Sequence, residues 1–419
     1  ICVCGPGNNG GDGYYIGIYL FKAGFDVKII NALAYKTKSQ LCFEAFNIAH
    51  DLNLIHEPSI LNNLNKDVLI IDAIFGTSLK GSLDESIINL IQIMNSYEYI
   101  FSIDIPSGIN PDTGAGCEVY VNANKTISFV GRKLGLSLNE GKIATGEKYF
   151  HDLSLYMEND YHAAATEYAF KDVESLLQKR PSNSHKGHFG STLVLGGDKD
   201  MGGAAIMAAE AALKSGSGLV SLISHQTHLE ASLVRNPEIM TIGCDHPKDA
   251  ILALADKDVF ICGPGLSLSS WSEQIMKMLI KHLENNDGSV IFDAGALRYI
   301  AKNNISLKAI KGPIILTPHP GEAADLLRMS SKEIQQDRIK AAENLAAKYN
   351  ATIVLKGAGT VIADDKIYVC EEGGPELATG GTGDVLAGLI GSLIAQGLST
   401  QDASLLAVAT HGLAGSEFV

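Results

Sequence analysis

Ile1-Cys2-Val3-Cys4-Gly5-Pro6-Gly7-Asn8-Asn9-Gly10-Gly11-Asp12-Gly13 opens the chain, four apolar residues followed by a glycine-rich run. The first four residues read as a buried strand. The run G-N-N-G-G-D-G reads as a tight turn into a helix whose Ile16, Tyr19, Leu20 and Ala23 form an i, i+3, i+4, i+7 stripe. Glycines at such a turn permit positive φ and let backbone N–H groups approach a phosphate at the helix N-terminus. The spacing matches neither G-x-G-x-x-G nor the P-loop. Working outward, strand-like runs recur at residues 25–30, 67–72, 99–105 and 125–129, separated by helix-like stretches at 40–52 and 84–94. Near-continuous apolar strands alternating with helices imply a parallel sheet covered on both faces.

The pattern lapses into polar and small residues from Met157 to Thr166, which places a linker at 157–169 between domains at 1–156 and 170–419. The second α/β series has strands expected at 191–195, 218–223, 258–262, 289–293, 313–316, 352–355 and 366–369. Its helices are expected at 203–215, 270–283, 331–349, 383–396 and 400–413, with Ser330 and Glu333 forming a capping box. Both halves are α/β.

Of 419 residues, 46% are apolar, enough for sizeable cores. Lys plus Arg total 33 against 47 Asp plus Glu, a net charge of −14. That balance argues against nucleic acid or an anionic membrane as a partner. An anionic substrate must then be held locally, by N–H groups and a few lysines. No run of 18 apolar residues occurs, which argues against a spanning helix. Seven scattered cysteines without a C-x-x-C read as reduced thiols, and the expected compartment is cytoplasmic. Ile1 is already strand-like and Leu405 to Phe418 helix-like where the chain stops. Both ends are therefore expected to be cut, and a transit peptide upstream stays open.

Two further polar segments follow strands in the first half. Asp72-Ala73-Ile74-Phe75-Gly76-Thr77-Ser78-Leu79-Lys80-Gly81 runs into Ser82, and Asp104-Ile105-Pro106-Ser107-Gly108 follows the fourth strand. Ligands of open α/β sheets bind at the carboxyl ends of the strands. Asn8, Asn9, Asp12, Asp72, Asp104 and Ser107 converge there as a candidate site; the plainer alternative is that each Asp caps the next loop or helix. Taken together, the three motifs resemble the epimerase domain of the NAD(P)H-hydrate repair enzymes, over about the first 150 residues. The resemblance implies a Rossmann-like three-layer αβα domain that interconverts the R and S hydrates of NADH and NADPH. It implies potassium ligands at Asn9, Asp72 and Ser107. It implies a nucleotide site at Asn8, Asn9, Gly10, Gly11 and Asp12, at Gly76 to Ser82 including Thr77, Ser78, Leu79, Lys80 and Gly81, and at Asp104, the proton-transfer group. Ser78 stands where the family commonly has Gly.

In the second half, Ala378-Thr379-Gly380-Gly381-Thr382-Gly383-Asp384 precedes an apolar helix. Glycines at a helix start form an anion hole, and the adjacent Asp can take a hydroxyl proton; the alternative is a turn whose Asp offsets the helix dipole. Lys356-Gly357-Ala358-Gly359-Thr360 could carry phosphates on its amides plus one ammonium. His319-Pro320-Gly321-Glu322 reads as a structural turn and Ser184-His185-Lys186-Gly187 as a surface loop. No Cys/His pair has zinc spacing and no G-x-S-x-G occurs. The set resembles the ribokinase-like dehydratase domain of the same repair enzymes, in family order across about 240 residues. This implies removal of water from the S hydrate at the expense of ADP or ATP, with Mg2+ accompanying the nucleotide. Nucleotide contacts are implied at Lys356, Gly357, Ala358, Gly359 and Thr360 and from Thr379, Gly380, Gly381, Thr382 and Gly383 to Gly388. Hydrate contacts are implied at Ala204, Gly265, His319, Pro320, Gly321, Glu322 and on to Asp325, with Asp384 as the base. Gly295 and Asp325 stand where the family often has Asp and Arg. A homo-oligomer is expected. The competing reading is a ribokinase-like small-molecule kinase fused to a non-catalytic nucleotide-binding domain.

Overall fold

Strand β1 (Cys2–Cys4) is wholly buried and parallel to β2 (Ile29–Asn31) on one side and β4 (Leu69–Ala73) on the other. With β3 (Ile55–His56), β5 (Tyr99–Ile103), β6 (Lys125–Phe129) and β7 (Glu147–His151) the order is β3-β2-β1-β4-β5-β6-β7, all parallel. Separate apolar clusters cover the two faces, one around Val3, Ile70 and Ile91, the other around Cys4, Ile18 and Ile71. The chain reverses direction across the sheet between β1 and β4, so the loops leaving these two strands part and open a crevice at their carboxyl ends. The computed structural model describes residues 1–34, 36, 38–79, 81–155, 163–177 and 179–417. It divides into two compact units, Ile1–Ala163 and Ala164–Val419.

The first helix differs from the expected one in start and in face. It begins at Asn8 and runs to Lys22, so most of the glycine run is helical. Its buried residues are Gly10, Gly11, Gly13, Tyr14, Gly17 and Ile18, whereas Tyr19 of the expected stripe is 66% exposed. Close packing explains this. A Cβ on Gly13 would come 2.5 Å from the Ala73 Cβ, and one on Gly17 2.6 Å from the Ile29 Cδ1. A stripe of glycines, invisible to an apolar-periodicity count, seats the helix on the sheet. None of Gly7, Gly10, Gly11 or Gly13 has positive φ; Gly10, Gly11 and Gly13 serve close approach and not left-handed backbone, while a Cβ on Gly7 would meet open space.

In the second unit, β8 (Thr166–Tyr168), β9 (Ser191–Leu195), β10 (Leu219–Ser224), β11 (Met240–Gly243), β12 (Val259–Cys262), β13 (Ser289–Phe292), β14 (Ile314–Leu316), β15 (Thr352–Leu355), β16 (Val361–Ala363) and β17 (Ile367–Cys370) form one sheet. Its order is β11-β10-β9-β12-β13-β14-β15-β16-β17-β8, parallel except where β16 runs against β15 and β17. Two expectations are corrected. Residues 157–162 of the expected linker lie outside the described residues, but Thr166–Tyr168, also assigned to it, is an edge strand paired with β17. It is too short to show periodicity and is held by Tyr168, whose hydroxyl donates to the Leu405 carbonyl at 3.2 Å. The expected helix 331–349 is two, Ser331–Gln336 and Arg338–Tyr349, broken at Asp337 (φ −151, ψ 85), whose carboxylate caps the Lys340 N–H at 2.9 Å. The Ser330–Glu333 capping box forms as read.

Candidate active sites

In the first unit the opening intrahelical bond runs from the Gly11 N–H to the Gly7 carbonyl at 3.1 Å. The N–H groups of Asn8, Asn9 and Gly10 are those a helix leaves without intrahelical partners, and with the dipole they suit an anion. Asn8 Oδ1 accepts from the Ser39 hydroxyl at 2.8 Å, which orients that side chain. Asn9 Nδ2 donates to the Phe75 carbonyl at 2.9 Å, tying the helix to the loop after β4. Ser78 is not left-handed; Gly81 is, with φ 83, so the loop adopts its turn without a glycine at 78. Lys80 lies outside the described residues.

Asp72, buried at the end of β4, knits the loops together. It accepts from the Ser107 hydroxyl at 2.6 Å, the Ser107 N–H at 2.8 Å, the Ser102 hydroxyl at 2.9 Å and the Ile74 N–H at 3.3 Å. Ser107 Oγ in turn accepts from the Phe75 N–H at 3.0 Å. The capping alternative thus holds for Asp72, yet all its donors are neutral. Burial pushes its carboxyl above the ordinary range, against the pull of these hydrogen bonds. Among the described residues no cationic side chain forms a salt bridge with it.

Asp104 stands just past β5 with φ 70, a left-handed conformation that turns its carboxylate toward the groove. Its Oδ1 accepts from the Lys133 ammonium and, at 3.5 Å, from the Phe129 N–H. Lys133 also donates to the Phe129 carbonyl at 2.7 Å. Sequence reading missed Lys133, because a single lysine after a strand carries no pattern. Asp12 faces the same cavity; partial desolvation, then the charge of Asp104, push its carboxyl upward. A cavity of about 1190 Å3 joins these groups, with Asn9 and Asp12 on one wall, Gly76 to Leu79 on another, and Asp104 with Lys133 on a third. Tyr15 and Tyr19, from the outward stripe of the helix, also line it, stacked with ring centroids 6.3 Å apart.

In the second unit Asp384 lies in the first turn of the Thr382–Ala395 helix, capped by Gly381 at φ 96. The Thr382 hydroxyl reaches back to the carbonyls of Leu377 and Thr379, each at 3.0 Å, and closes the preceding turn. The Gly202–Lys214 helix, with Ala204 in its first turn, packs here: a Cβ on Gly381 would come 2.7 Å from the Met207 Cε. Gly265, at φ 67, accepts from the Asp198 N–H at 2.9 Å and joins the loop after β12 to the loop after β9.

Lys356, expected to carry phosphate, donates its ammonium to Asp293 Oδ1 at 2.9 Å, an oxygen that also accepts from the Thr317 hydroxyl at 2.8 Å. A Cβ on Gly383 would lie 3.3 Å from that ammonium, so Lys356 also abuts the helix start. His319 is more than a turn residue. Its Nδ1 accepts from the Gly321 N–H at 3.0 Å and caps the Pro320–Leu327 helix, while its N–H donates to the buried Glu322 at 2.9 Å. Asp293, Glu322 and Asp384 therefore crowd one ammonium. Burial opposes the charge of Lys356, but the three carboxylates outweigh it and hold its pKa above the ordinary value. Asp384 is pushed up to about 6, first by burial and then by Asp293, with Lys356 opposing. Gly295, where an Asp was the alternative, has no room for a side chain: its Cβ would come 2.2 Å from the Leu266 carbonyl oxygen. Asp325 is exposed.

Residues 192–419 match the family model described as NAD(P)H-hydrate dehydratase, and residues 1–135 that described as YjeF-related protein N-terminus. A bifunctional NAD(P)H-hydrate repair enzyme of Coxiella burnetii is 36% identical over 98% of this chain and 84% of its own. That of Escherichia coli is 36% identical over 99% and 79%. The chain belongs to the bifunctional NAD(P)H-hydrate repair family. Among solved structures, a ribokinase-like superfamily protein of Enterococcus faecalis superposes with TM-score 0.57 at 32% identity, covering 62% of this chain and 91% of that one. An ADP/ATP-dependent NAD(P)H-hydrate dehydratase of Bacillus subtilis, co-crystallised with ATP and Mg2+, gives 0.53 at 33%, covering 59% and 87%. The second unit of this repair-family chain is thus ribokinase-like. Among the described residues, no helix is long and apolar enough to cross a membrane.

Proposed function

We propose that the first unit interconverts the R and S hydrates of NADH and NADPH and that the second removes water from the S form, consuming ADP or ATP. The observation that carries this is a carboxylate poised for proton transfer beside a helix-end anion cradle in each unit: Asp104 in the first, Asp384 in the second. In the hydrate, C6 bears a hydroxyl and adjoins ring N1. Protonation of that hydroxyl lets the N1 lone pair expel water and form a planar C6=N1 iminium. Water then re-adds from the other face and gives up a proton. Partial burial and the charge of Asp104 raise the Asp12 carboxyl, which suits Asp12 to the acid's role, and Asp104, hydrogen-bonded to Lys133 across the same cavity, takes the base's role.

In the second unit Asp384 takes the C6 hydroxyl proton as its oxygen attacks the terminal phosphorus, breaking the nucleotide's terminal P–O bond. The phosphate then leaves with the C6 oxygen, and loss of a C5 proton restores the C5=C6 double bond. Among the described residues no three His, Cys, Asp or Glu side chains lie close enough to hold a metal by themselves. Magnesium would therefore come with the nucleotide's phosphates, as its preference for water and phosphate oxygens favours.

Potassium fits a site at Asn9, Asp72 and Ser107: the Ser107 hydroxyl lies 2.6 Å from the buried Asp72 carboxylate, whose donors are all neutral, and the Asn9 side chain is tied to the Phe75 carbonyl of the adjoining loop. Bound there, it would supply fixed positive charge beside the phosphate loop. The test is absorbance at 340 nm when the protein meets prepared NADH hydrate plus ADP or ATP, since only repair restores the dihydropyridine chromophore. Recovery of R as well as S hydrate is expected. Exchanging potassium for a bulky organic cation should slow recovery of R and leave recovery of S unchanged. A phosphorylated product that accumulates without absorbance would identify a small-molecule kinase instead.

A further inference from the structure

Arg338 is fully buried, at the first position of the Arg338–Tyr349 helix. It points inward because the chain breaks at Asp337 where sequence periodicity runs straight through. Its Nη2 donates to the Leu355 carbonyl at 3.0 Å and to the Gly359 carbonyl at 3.2 Å, the two ends of the loop holding Lys356, Gly357 and Ala358. Nη1 donates to Gln335 Oε1 at 3.0 Å, from the end of the preceding helix. Gly357, at φ 143, lies against the same group: a Cβ there would sit 2.2 Å from Nη1.

We propose that Arg338 is a positioning residue of the nucleotide site, fixing the 356–360 loop from beneath so that the Thr360 amide presents outward to phosphate while the Lys356 amide is anchored on Pro318. The proposal rests on the reading of that loop given above. The peptide groups are planar and trans, so each N–H points opposite to the carbonyl of its own peptide unit. Drawing the Gly359 carbonyl down to the guanidinium turns the Thr360 N–H to the other side. Drawing down the Leu355 carbonyl turns the Lys356 N–H away, and it donates to the Pro318 carbonyl at 2.9 Å, beside the His319 cap. One guanidinium nitrogen, Nη2, thereby sets both ends of the loop while Nη1 of the same rigid plane is anchored on Gln335, and the ammonium of Lys356 is delivered to Asp293 from a fixed backbone. A lysine offers no second anchored nitrogen.

The test is steady-state dehydration of S hydrate by Arg338→Met and Arg338→Lys, titrating nucleotide and hydrate separately. The expected result is a KM for ADP or ATP raised about tenfold or more in Arg338→Met, on the scale of lost charged hydrogen bonds. The KM for hydrate should change by less than about twofold, and Arg338→Lys should recover part of the loss. Trp271 is the chain's single tryptophan and is buried in the second unit, so its emission reports whether that unit is folded. Should Arg338→Met fail that check, Gly357→Ala displaces the guanidinium without removing it and is expected to raise the nucleotide KM in the same way. Folded variants whose nucleotide KM equals that of a nucleotide-dependent parent overturn the positioning role alone. A parent with no dependence on ADP or ATP overturns the function proposed for the second unit, and this role with it.

Discussion

Asp384→Asn is expected to lower nucleotide-dependent dehydration by about 100- to 10,000-fold, the usual worth of a general base, while epimerisation continues in the first unit. The substitution keeps shape and hydrogen-bonding capacity but cannot accept the hydroxyl proton. Nucleotide should still bind, because its proposed contacts are the amides of the 356–360 loop and the Thr382 helix start. The parent's pH dependence follows from the same group. Burial and the neighbouring Asp293 raise Asp384 to about 6. Below that value it is protonated and cannot act as a base, so the rate should fall with acid through a limb near pH 6 and level off above it. Removing the opposing ammonium with Lys356→Met should move the limb to higher pH. Calorimetry that finds ADP binding lost in Asp384→Asn, with turnover merely scaled to occupancy, would make Asp384 a structural residue of the helix start.

What the sequence made legible was the strand–loop–helix frame, because the buried parallel strands are nearly all apolar and the loops at their ends carry runs of glycine. Asp72 and Asp104 were found because each sits where an apolar run stops, and Asp384 because it follows a glycine-rich turn and opens an apolar helix. The rest was hidden for physical reasons. The helical glycines 10, 13 and 17 bury a face that hydropathy counts as empty; of the stripe read from the sequence, Ile16 and Leu20 pack against the core at its margin while Tyr19 is exposed. The fold seats His319 as a cap through its imidazole Nδ1, a role residue type alone does not advertise. Lys133, Asp293 and Arg338 are single residues, and the partners that give them their place, Asp104, Lys356 and Leu355, lie 29, 63 and 17 positions away. Only the closed sheet brings such pairs together. The break at Asp337 was invisible because residues on both sides favour helix.

Asp104→Asn should abolish interconversion of R and S hydrates and leave dehydration of S hydrate at the parent rate. A mixture of hydrates would then be repaired only to the extent of its S fraction, and absorbance at 340 nm would plateau early. Asp104 is the group most exposed to loss because its backbone is left-handed, a strained conformation that persists only where the surroundings enforce it. Its carboxylate is also held by one ammonium, that of Lys133. Lys133→Met tests the second half of the argument. Without the ammonium the Asp104 carboxylate loses the hydrogen bond that fixes its direction, so epimerisation should fall while dehydration of S hydrate continues at the parent rate. Lys133→Arg keeps a cationic donor and should retain more of the epimerisation rate than Lys133→Met. Equal epimerisation by Asp104→Asn and the parent would falsify the assignment. An epimerisation rate in Lys133→Met equal to the parent's would show that Lys133 merely packs against Asp104 and does not position it.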